Sequence, residues 1–247
     1  MLTSMQEQTL RTFEPATSGN GIVAVVMPAH NEAGVIADVI ARIPHRIDGM
    51  SVVPIIVDDG SRDNTAEVAR RSGAQVIRHF TNLGVGAATI TGLRAARELN
   101  AEVIITIDSD GQHDPEEIPS LVRCLLDGPF DVVIGSRILS REGMPATRFA
   151  ANLLLNAVTF VVYRKIVSDS QSGFKAISRT ALAAMKLNAS GYEICSEIVG
   201  EIYRNDLRYK SLPVKAVYTT YSQAKGQHYL NGVNLILGLL KRLMRRP

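Results

Sequence analysis

The stretch Val103-Ile104-Ile105-Thr106-Ile107-Asp108-Ser109-Asp110-Gly111-Gln112 decides how the chain is read. A short apolar run ends abruptly in two carboxylates one residue apart, and an amide follows two positions later. A strand has this form when it leaves a sheet and its next residues line a cleft. Asp108, Asp110 and Gln112 supply hard oxygen donors of the kind Mg2+ or Mn2+ prefers, and such ions share their coordination with substrate phosphates. A lone Asp-x-Asp also fits a strand followed by an Asp-Gly turn, so the surrounding sequence has to choose.

Working outward, apolar runs at 22–27, 52–57, 74–77, 103–107 and 132–134 alternate with helical patterns near 33–43, 64–72, 85–99 and 116–127. That order predicts an α/β fold, a mostly parallel sheet with helices on both faces. Asp114-Pro115-Glu116-Glu117 is a strong helix start, with a capping Asp, Pro in the first turn and acids at the positive dipole end. Ligands in such folds bind outside the carboxyl ends of the strands. The chemistry-bearing segments follow those ends: Pro28-Ala29-His30-Asn31-Glu32, Asp58-Asp59-Gly60-Ser61, Asp108-Ser109-Asp110 and Gly135-Ser136-Arg137. After about residue 140 the pattern turns helix-rich, with short strands near 173–178 and 209–217 that complete the same domain.

The 247 residues suffice for one large α/β domain and a sizeable core, or at most two small domains. Hydrophobic residues at 46% and charged ones at 21% are ordinary for a globular protein, and a net charge of +3 gives a nucleic-acid partner little support. Cys124 and Cys195 lie far apart in apolar patterns without metal-ligand spacing, as buried thiols in a reducing compartment do. Residues 1–20 are polar and lack the apolar core of a signal peptide, which reads as a flexible N-terminal segment. No run approaches the ~20 apolar residues a membrane span needs.

Taken together and in order, these loops resemble the family 2 glycosyltransferases with a GT-A fold, and more narrowly the dolichyl- or polyprenyl-phosphate sugar synthases. The segments that carry the resemblance are 27–32, 57–65, Asn82-Leu83-Gly84-Val85-Gly86, 108–115, 135–137, Asp169-Ser170-Gln171-Ser172-Gly173-Phe174-Lys175 and Tyr221-Ser222-Gln223-Ala224-Lys225-Gly226-Gln227. The resemblance implies a catalytic domain over 21–228 that moves a hexose with inversion from a GDP- or UDP-sugar to dolichyl or polyprenyl phosphate. The donor nucleotide is expected on Pro28, Ala29, Glu32, Asp58, Asp59, Asp108, Ser109, Asp110 and Lys225. A divalent cofactor, Mg2+ or Mn2+, is expected on Asp108, Asp110 and Gln112, with Asp108 also orienting sugar or acceptor. Asp63 and Ser61 read instead as a local turn and helix cap. Gly84 and Gly86 open a helix and permit close approach of its backbone, either to ligand or to packing partners.

On the acceptor side, hydroxyl acceptors need a general base, in this family commonly an Asp of a late Glu-Asp pair, and no such pair is present. Glu193 and Glu197 sit one turn apart on a helix predicted from Tyr192 to Tyr203, a spacing that suits a solvated or salt-bridged face. A phosphate acceptor is already ionised and needs aimed positive charge. Arg137 and Arg148 match the arginines that hold the lipid phosphate in the polyprenyl-phosphate group, and the planar guanidinium fork suits bidentate phosphate binding. Asn152, one helical turn after Arg148, can add a hydrogen bond to that phosphate. The competing readings are a family 2 enzyme with a saccharide or other hydroxyl acceptor, and a non-catalytic nucleotide-sugar-binding scaffold.

From Tyr229 onward, Leu230, Val233, Ile236, Leu237, Leu240, Leu243 and Met244 share one helical face, opposite Asn231, Asn234, Gly238, Lys241 and Arg245. Residues 229–247 therefore resemble a basic amphipathic helix on an anionic leaflet, with packing on the catalytic domain or a second copy as the alternative. The expected location is cytoplasmic, peripherally attached to the cytoplasmic face of a membrane or to an integral membrane partner.

Overall fold

Strict alternation in the strands builds two cores on either side of one sheet. In β1 (Ile22–Ala29), Val23, Val25 and Met27 enter one apolar cluster while Ala24 and Val26 enter the other. The same split recurs in β3 (Met50–Asp58), where Ile56 faces one way and Ile55 and Val57 the other, and in β5 (Val103–Thr106), where Val103 and Ile105 oppose Ile104. A strand buried on both faces has nowhere to place a polar residue, which is why these segments read as continuous apolar runs. The computed structural model describes residues 21–140, 144, 146–163 and 167–217.

The remaining strands are β2 (Arg46–Ile47), β4 (Gln75–Arg78), β6 (Val132–Ser136), β7 (Lys175–Ser178) and β8 (Tyr209–Pro213). They form one sheet in the order β2-β3-β1-β5-β7-β6-β8, with β4 also on β3. Pairings of β1 with β3 and β5, of β3 with β4 and of β6 with β8 are parallel. Strand β7 runs antiparallel between β5 and β6, and the two-residue β2 is antiparallel to β3. The predicted strands are all present within a few residues of their expected bounds. The reversed β7 was not legible, because strand sense follows from how the chain returns to the sheet after the long helix of residues 146–163.

Helices α1 (Ile36–Ala41) and α4 (Ile118–Asp127) bury Ile36, Val39, Ile40, Ile118, Leu121 and Leu125 against the first core. Beside them, α2 (Thr65–Arg71) contributes Ala69. A single 3-10 turn, Pro115–Glu117, leads into α4, and Asp114 caps it by accepting from Glu116 N at 2.9 Å, as its sequence predicts. The second core is covered by α3 (Val85–Glu98), α7 (Arg179–Ala184) and α8 (Ile194–Arg204). After the short α5 (Arg137–Ser140), the long α6 (Ala146–Tyr163) lies along α8 through Thr159 and Ser196.

Small residues let α3 sit close on the sheet. A Cβ at Gly92 would overlap Val26 Cγ1 and come within 3.2 Å of Val57 Cγ2. Both valines are fully buried and β-branched, so neither has a free rotamer to yield. Gly92→Ala is expected to lower stability by about 1–3 kcal/mol from overpacking, against a helix-propensity gain of only about 1 kcal/mol. A thermal midpoint a few degrees below wild type checks it; an unchanged or higher midpoint would mean α3 can shift outward at no cost.

Candidate active site

From the end of β1 the chain crosses to β3 on one side, while β5 lies on the other, so a crevice opens at the carboxyl ends of β1 and β5. Ser109 Oγ donates to Pro28 O at 2.7 Å across that crevice, tying the loop after β5 to the end of β1. Pro28, Ala29, Asp108, Ser109, Asp110 and Gln112 are thereby gathered at one place, although 80 residues separate the two segments in sequence.

Asp108 and Asp110 are both partly open to this crevice. Burial, then the neighbouring Asp110 charge, push the Asp108 carboxyl up to about 6, while Arg137 and Lys175 pull the other way. A carboxylate whose proton affinity is raised by a neighbouring carboxylate's charge is the arrangement a divalent cation relieves. Gln112 Nε2 donates to Asp110 Oδ2 at 2.7 Å, and Gln112 N donates to Asp110 Oδ1 at 3.0 Å. Among the described residues no group of three His, Cys, Asp or Glu side chains could by itself hold a metal. The set would therefore fit a hard cation only as two carboxylates and an amide oxygen, once the Gln112 amide is turned over to present that oxygen.

Proton competition follows from that arrangement. Below about pH 6, Asp108 is protonated in the metal-free protein, so Mn2+ affinity is expected to fall as pH drops through that value, up to tenfold per pH unit for one displaced proton. The linked stability has the opposite sense. A carboxyl raised in the folded state stabilises it below the unfolded value, and this contribution is lost as pH rises toward about 6. Titrating Mn2+ by electron paramagnetic resonance on either side of that pH checks the first statement; a flat affinity would remove Asp108 from the ligand set.

At the end of β6, Arg137 is clasped by Asp169. Arg137 Nε donates to Asp169 Oδ2 at 2.9 Å and its Nη2 to Oδ1 at 3.1 Å, and the Arg137 backbone N–H reaches Oδ2 at 3.2 Å. Asp169 is wholly buried, and the Arg137 side chain keeps 14% of its surface. Burial pushes the Asp169 carboxyl up, but the Arg137 charge and hydrogen bonds prevail and hold it below the usual carboxylate value. Beneath Asp108 lie two further buried groups. His113 is fully enclosed, its Nε2 is 3.6 Å from Asp108 Oδ2, and neither ring nitrogen makes a hydrogen bond. Burial, then the Arg137 charge, lower it to about 3, so it is a neutral imidazole. Lys175 is fully buried and its ammonium donates to Ser172 O. Gly173 has no side chain because a Cβ there would overlap the Asp108 carboxylate.

The expected donor loops are built with internal hydrogen bonds. Asp58 is fully buried; its Oδ1 accepts from Ser61 N at 3.0 Å, and Arg78 Nε stands 3.1 Å from Oδ2 as an ion pair rather than an aligned hydrogen bond. Asp59 Oδ1 meets His79 Nδ1 at 2.7 Å and Leu83 N at 2.9 Å, while Oδ2 accepts from Gly84 N at 2.8 Å. Both carboxylates thus spend their oxygens on shaping the loops after β3 and β4. Glu32 is buried, and its backbone N–H donates to Thr65 Oγ1 at 2.8 Å. Asp63 accepts from Thr65 N at 3.1 Å and Ala33 N at 3.1 Å, the local turn role its sequence predicts. These loops border a cleft of about 480 Å3 lined by His30, Asn31, Arg62, Phe80 and Asn82, with Phe80 89% exposed.

Two expectations resolve toward packing. The amino end of α3 is taken by the protein itself, since Gly86 N donates to Ser190 O at 2.8 Å and a Cβ at Gly84 would overlap that carbonyl. Glu197 is not on a solvated face: it is 2% exposed and accepts from Asn188 N at 3.0 Å and Ala189 N at 2.7 Å, pinning the segment that reaches α3. That segment presents Tyr192, whose hydroxyl pKa is raised by burial and then by the charges of Asp108, Asp110 and Glu32. Cys124 and Cys195 are free and only partly buried as whole residues.

Residues 24–185 match the sequence profile of Glycosyl transferase family 2. The chain belongs to that family. Among its relatives, the UDP-N-acetylglucosamine–dolichyl-phosphate N-acetylglucosaminyltransferase of Methanococcus voltae is 35% identical over 242 residues, covering 89% of this chain and 95% of the relative. The dolichol-phosphate mannosyltransferase of Pyrococcus furiosus is 29% identical over 235 residues, covering 90% of this chain and 64% of the relative. Among solved structures, glucosyl-3-phosphoglycerate synthase from Mycobacterium tuberculosis superposes with a TM-score of 0.69 at 25% identity, covering 92% of this chain and 82% of that one. The same synthase with Mn2+, uridine diphosphate and glucosyl-3-phosphoglycerate gives 0.66 at 26% identity, covering 92% and 82%. This family 2 glycosyltransferase thus has the expected GT-A fold.

Within the transferase, sequence reasoning missed Asp169 as the partner of Arg137, and His113 and Lys175 as the buried floor under Asp108. Asp169 and Lys175 stood inside a motif already singled out, but no spacing rule pairs residues 32 positions apart. Asn152 lies on α6, in the turn after Arg148, and is partly buried. The Arg148 side chain, Lys225 and the helix expected over 229–247 lie outside the described residues, as does the segment 1–20. No helix among the described residues is long and apolar enough to cross a membrane.

Proposed function

We propose that this family 2 glycosyltransferase transfers a hexose-type sugar from a nucleoside diphosphate sugar to a dolichyl or polyprenyl phosphate, with inversion, at a membrane surface. One observation carries the reading: the Arg137 guanidinium is held rigidly at the end of β6, close enough to the Asp108 crevice for its charge to act on Asp108. A donor carboxylate site and a fixed guanidinium on one crevice suit a phosphate acceptor, which needs charge and aim rather than a strong base. The dolichyl-phosphate relatives support the same acceptor class.

In this mechanism Arg137, with Arg148 and Asn152 from α6, holds the acceptor phosphate with one oxygen directed at the anomeric carbon. A bond forms from that oxygen to the carbon, and the bond from the carbon to the diphosphate breaks on the opposite face. Asp108, Asp110 and Gln112 would hold the divalent cation, Mg2+ or Mn2+, and when bound it neutralises charge on the leaving diphosphate. Pro28, Ala29 and Ser109 form the wall against which the nucleotide lies, and Glu32, Asp58 and Asp59 keep the loops around it in shape. In this reading Lys225, in the loop of residues 221–227, closes over the diphosphate.

The test is transfer of radiolabelled sugar from separate UDP- and GDP-sugars into organic-extractable prenyl phosphate, with Mn2+ and with chelator. Metal-dependent label in the organic phase supports the reading and names the sugar. Metal-dependent consumption of donor with label only in water-soluble acceptors, phosphoglycerate included, would move the enzyme to a different acceptor.

A further inference from the structure

Helix α6 is apolar on both sides. Its inward side carries Leu155, Val158 and Tyr163 beside Asn156 and Thr159, while Ala150, Leu153, Leu154, Ala157, Phe160 and Val161 face outward at helical spacing. Leu154 and Val161 are each 60% exposed, Leu153 46% and Phe160 41%. A helix at a protein–water boundary carries polar residues on such an outer face. The inward polar groups are engaged. Asn156 Nδ2 donates to Ser168 O at 2.8 Å, Asn156 Oδ1 accepts from Ser170 N at 2.9 Å, and Thr159 Oγ1 donates to Ser170 Oγ at 3.1 Å. Those bonds bracket Asp169, the residue that clasps Arg137.

We infer that α6 lies flat on a lipid surface through this outward stripe, and that it carries the Asp169–Arg137 clasp to the level of the lipid headgroups. The sequence between Phe149 and Tyr163 contains no charged residue, whereas Arg148 precedes it and Arg164-Lys165 follow it. An apolar stripe with basic residues at both ends complements an anionic leaflet, with acyl chains under the stripe and phosphates at its ends. A water-facing or oligomeric face would not call for basic residues at both ends of an otherwise uncharged helix. The inner side packs on and bonds to the protein, and α6 is not long and apolar enough to cross a membrane, so it rests in the interface. The inference deepens the lipid-phosphate reading by naming the element that meets the bilayer, and it rests on that reading only for why the clasp belongs at headgroup depth.

The chain contains no tryptophan, so one introduced indole reports its own surroundings. Leu154→Trp and, as a control on the other side of the sheet, Leu126→Trp are mixed with vesicles of phosphatidylcholine and phosphatidylglycerol lacking prenyl phosphate, some with brominated acyl chains. Leu126 is 48% exposed on α4 and offers a comparable site away from α6. Docking through α6 predicts a blue shift and bromine quenching for the Leu154→Trp variant and neither for the Leu126→Trp variant. Adding Val161→Glu to the Leu154→Trp variant is expected to weaken vesicle binding by at least about tenfold, with the circular dichroism spectrum unchanged. No quenching at position 154, equal quenching at both positions, or a blue shift that follows protein concentration without vesicles would each overturn the inference. Because these vesicles lack acceptor, docking without any lipid-linked product would sink the acceptor reading and leave this one standing, and lipid-linked product without docking would do the reverse.

Discussion

Arg137→Ala is expected to lower transfer to prenyl phosphate by about a hundredfold to a thousandfold and, separately, to destabilise the fold by about 3–5 kcal/mol. The two losses have different origins. Transfer suffers because the acceptor phosphate loses a pre-aimed, bidentate cation. Stability suffers because Asp169 is wholly buried and would keep its charge without the guanidinium that now holds its proton affinity down. A double-mutant cycle separates them. Asp169→Asn in the Arg137→Ala background removes the stranded charge, so the unfolding midpoint should recover much of its loss while transfer stays low. Donor hydrolysis with Mn2+ should survive in both variants. Undiminished lipid transfer by Arg137→Ala would leave the pair a structural clasp and end its assignment to the acceptor.

The second large effect is expected at Asp110. Asp110→Asn should cut metal-dependent transfer by about a hundredfold to a thousandfold, because one of the two carboxylates proposed to hold the cation loses its charge while keeping its shape. The same change removes the negative neighbour that helps push Asp108 to about 6, so the Asp108 carboxyl should titrate lower. Weaker Mn2+ binding together with a lowered Asp108 titration, read by NMR of the labelled carboxyl in the metal-free protein, is a pairing that a merely structural role for Asp110 would not produce. The fold should tolerate this change, since Asp110 lies on the crevice surface and its partner Gln112 can hydrogen-bond an amide as well as a carboxylate. Wild-type turnover in Mn2+ would remove the cation from this position.

Much of this was legible in the chain itself. The apolar runs at 22–27, 52–57 and 103–107, broken only by Thr106, whose hydroxyl donates to Gly173 O, announce strands buried on both faces, and their alternation with helical periods points to a mostly parallel sheet. The positions of Asp108, Asp110 and Arg137 directly after such runs place them at the carboxyl ends of strands, where α/β folds bind ligands. Local hydrogen-bond chemistry was equally readable at Asp114 and Asp63, each of which accepts from the backbone N–H two residues on. Each of these conclusions depends on neighbours along the chain, which periodicity and spacing record.

Only the tertiary structure decided the rest. Asp59 reads in sequence as a donor-nucleotide residue, and in the fold its carboxylate also meets His79, Leu83 and Gly84 and so shapes the loops after β3 and β4. Glu197 looked like a solvated helical acid, yet it anchors Asn188 and Ala189 to support Ser190 against α3. Asp169 became the partner of Arg137, and β7 reversed its sense between β5 and β6. α6 turned Asn156 inward to bond the backbone at Ser168 and Ser170, 12 and 14 residues away, beside Leu155 and Val158. A sequence specifies what each residue can bond to, but which partner it meets depends on distances closed by the folding of the whole chain.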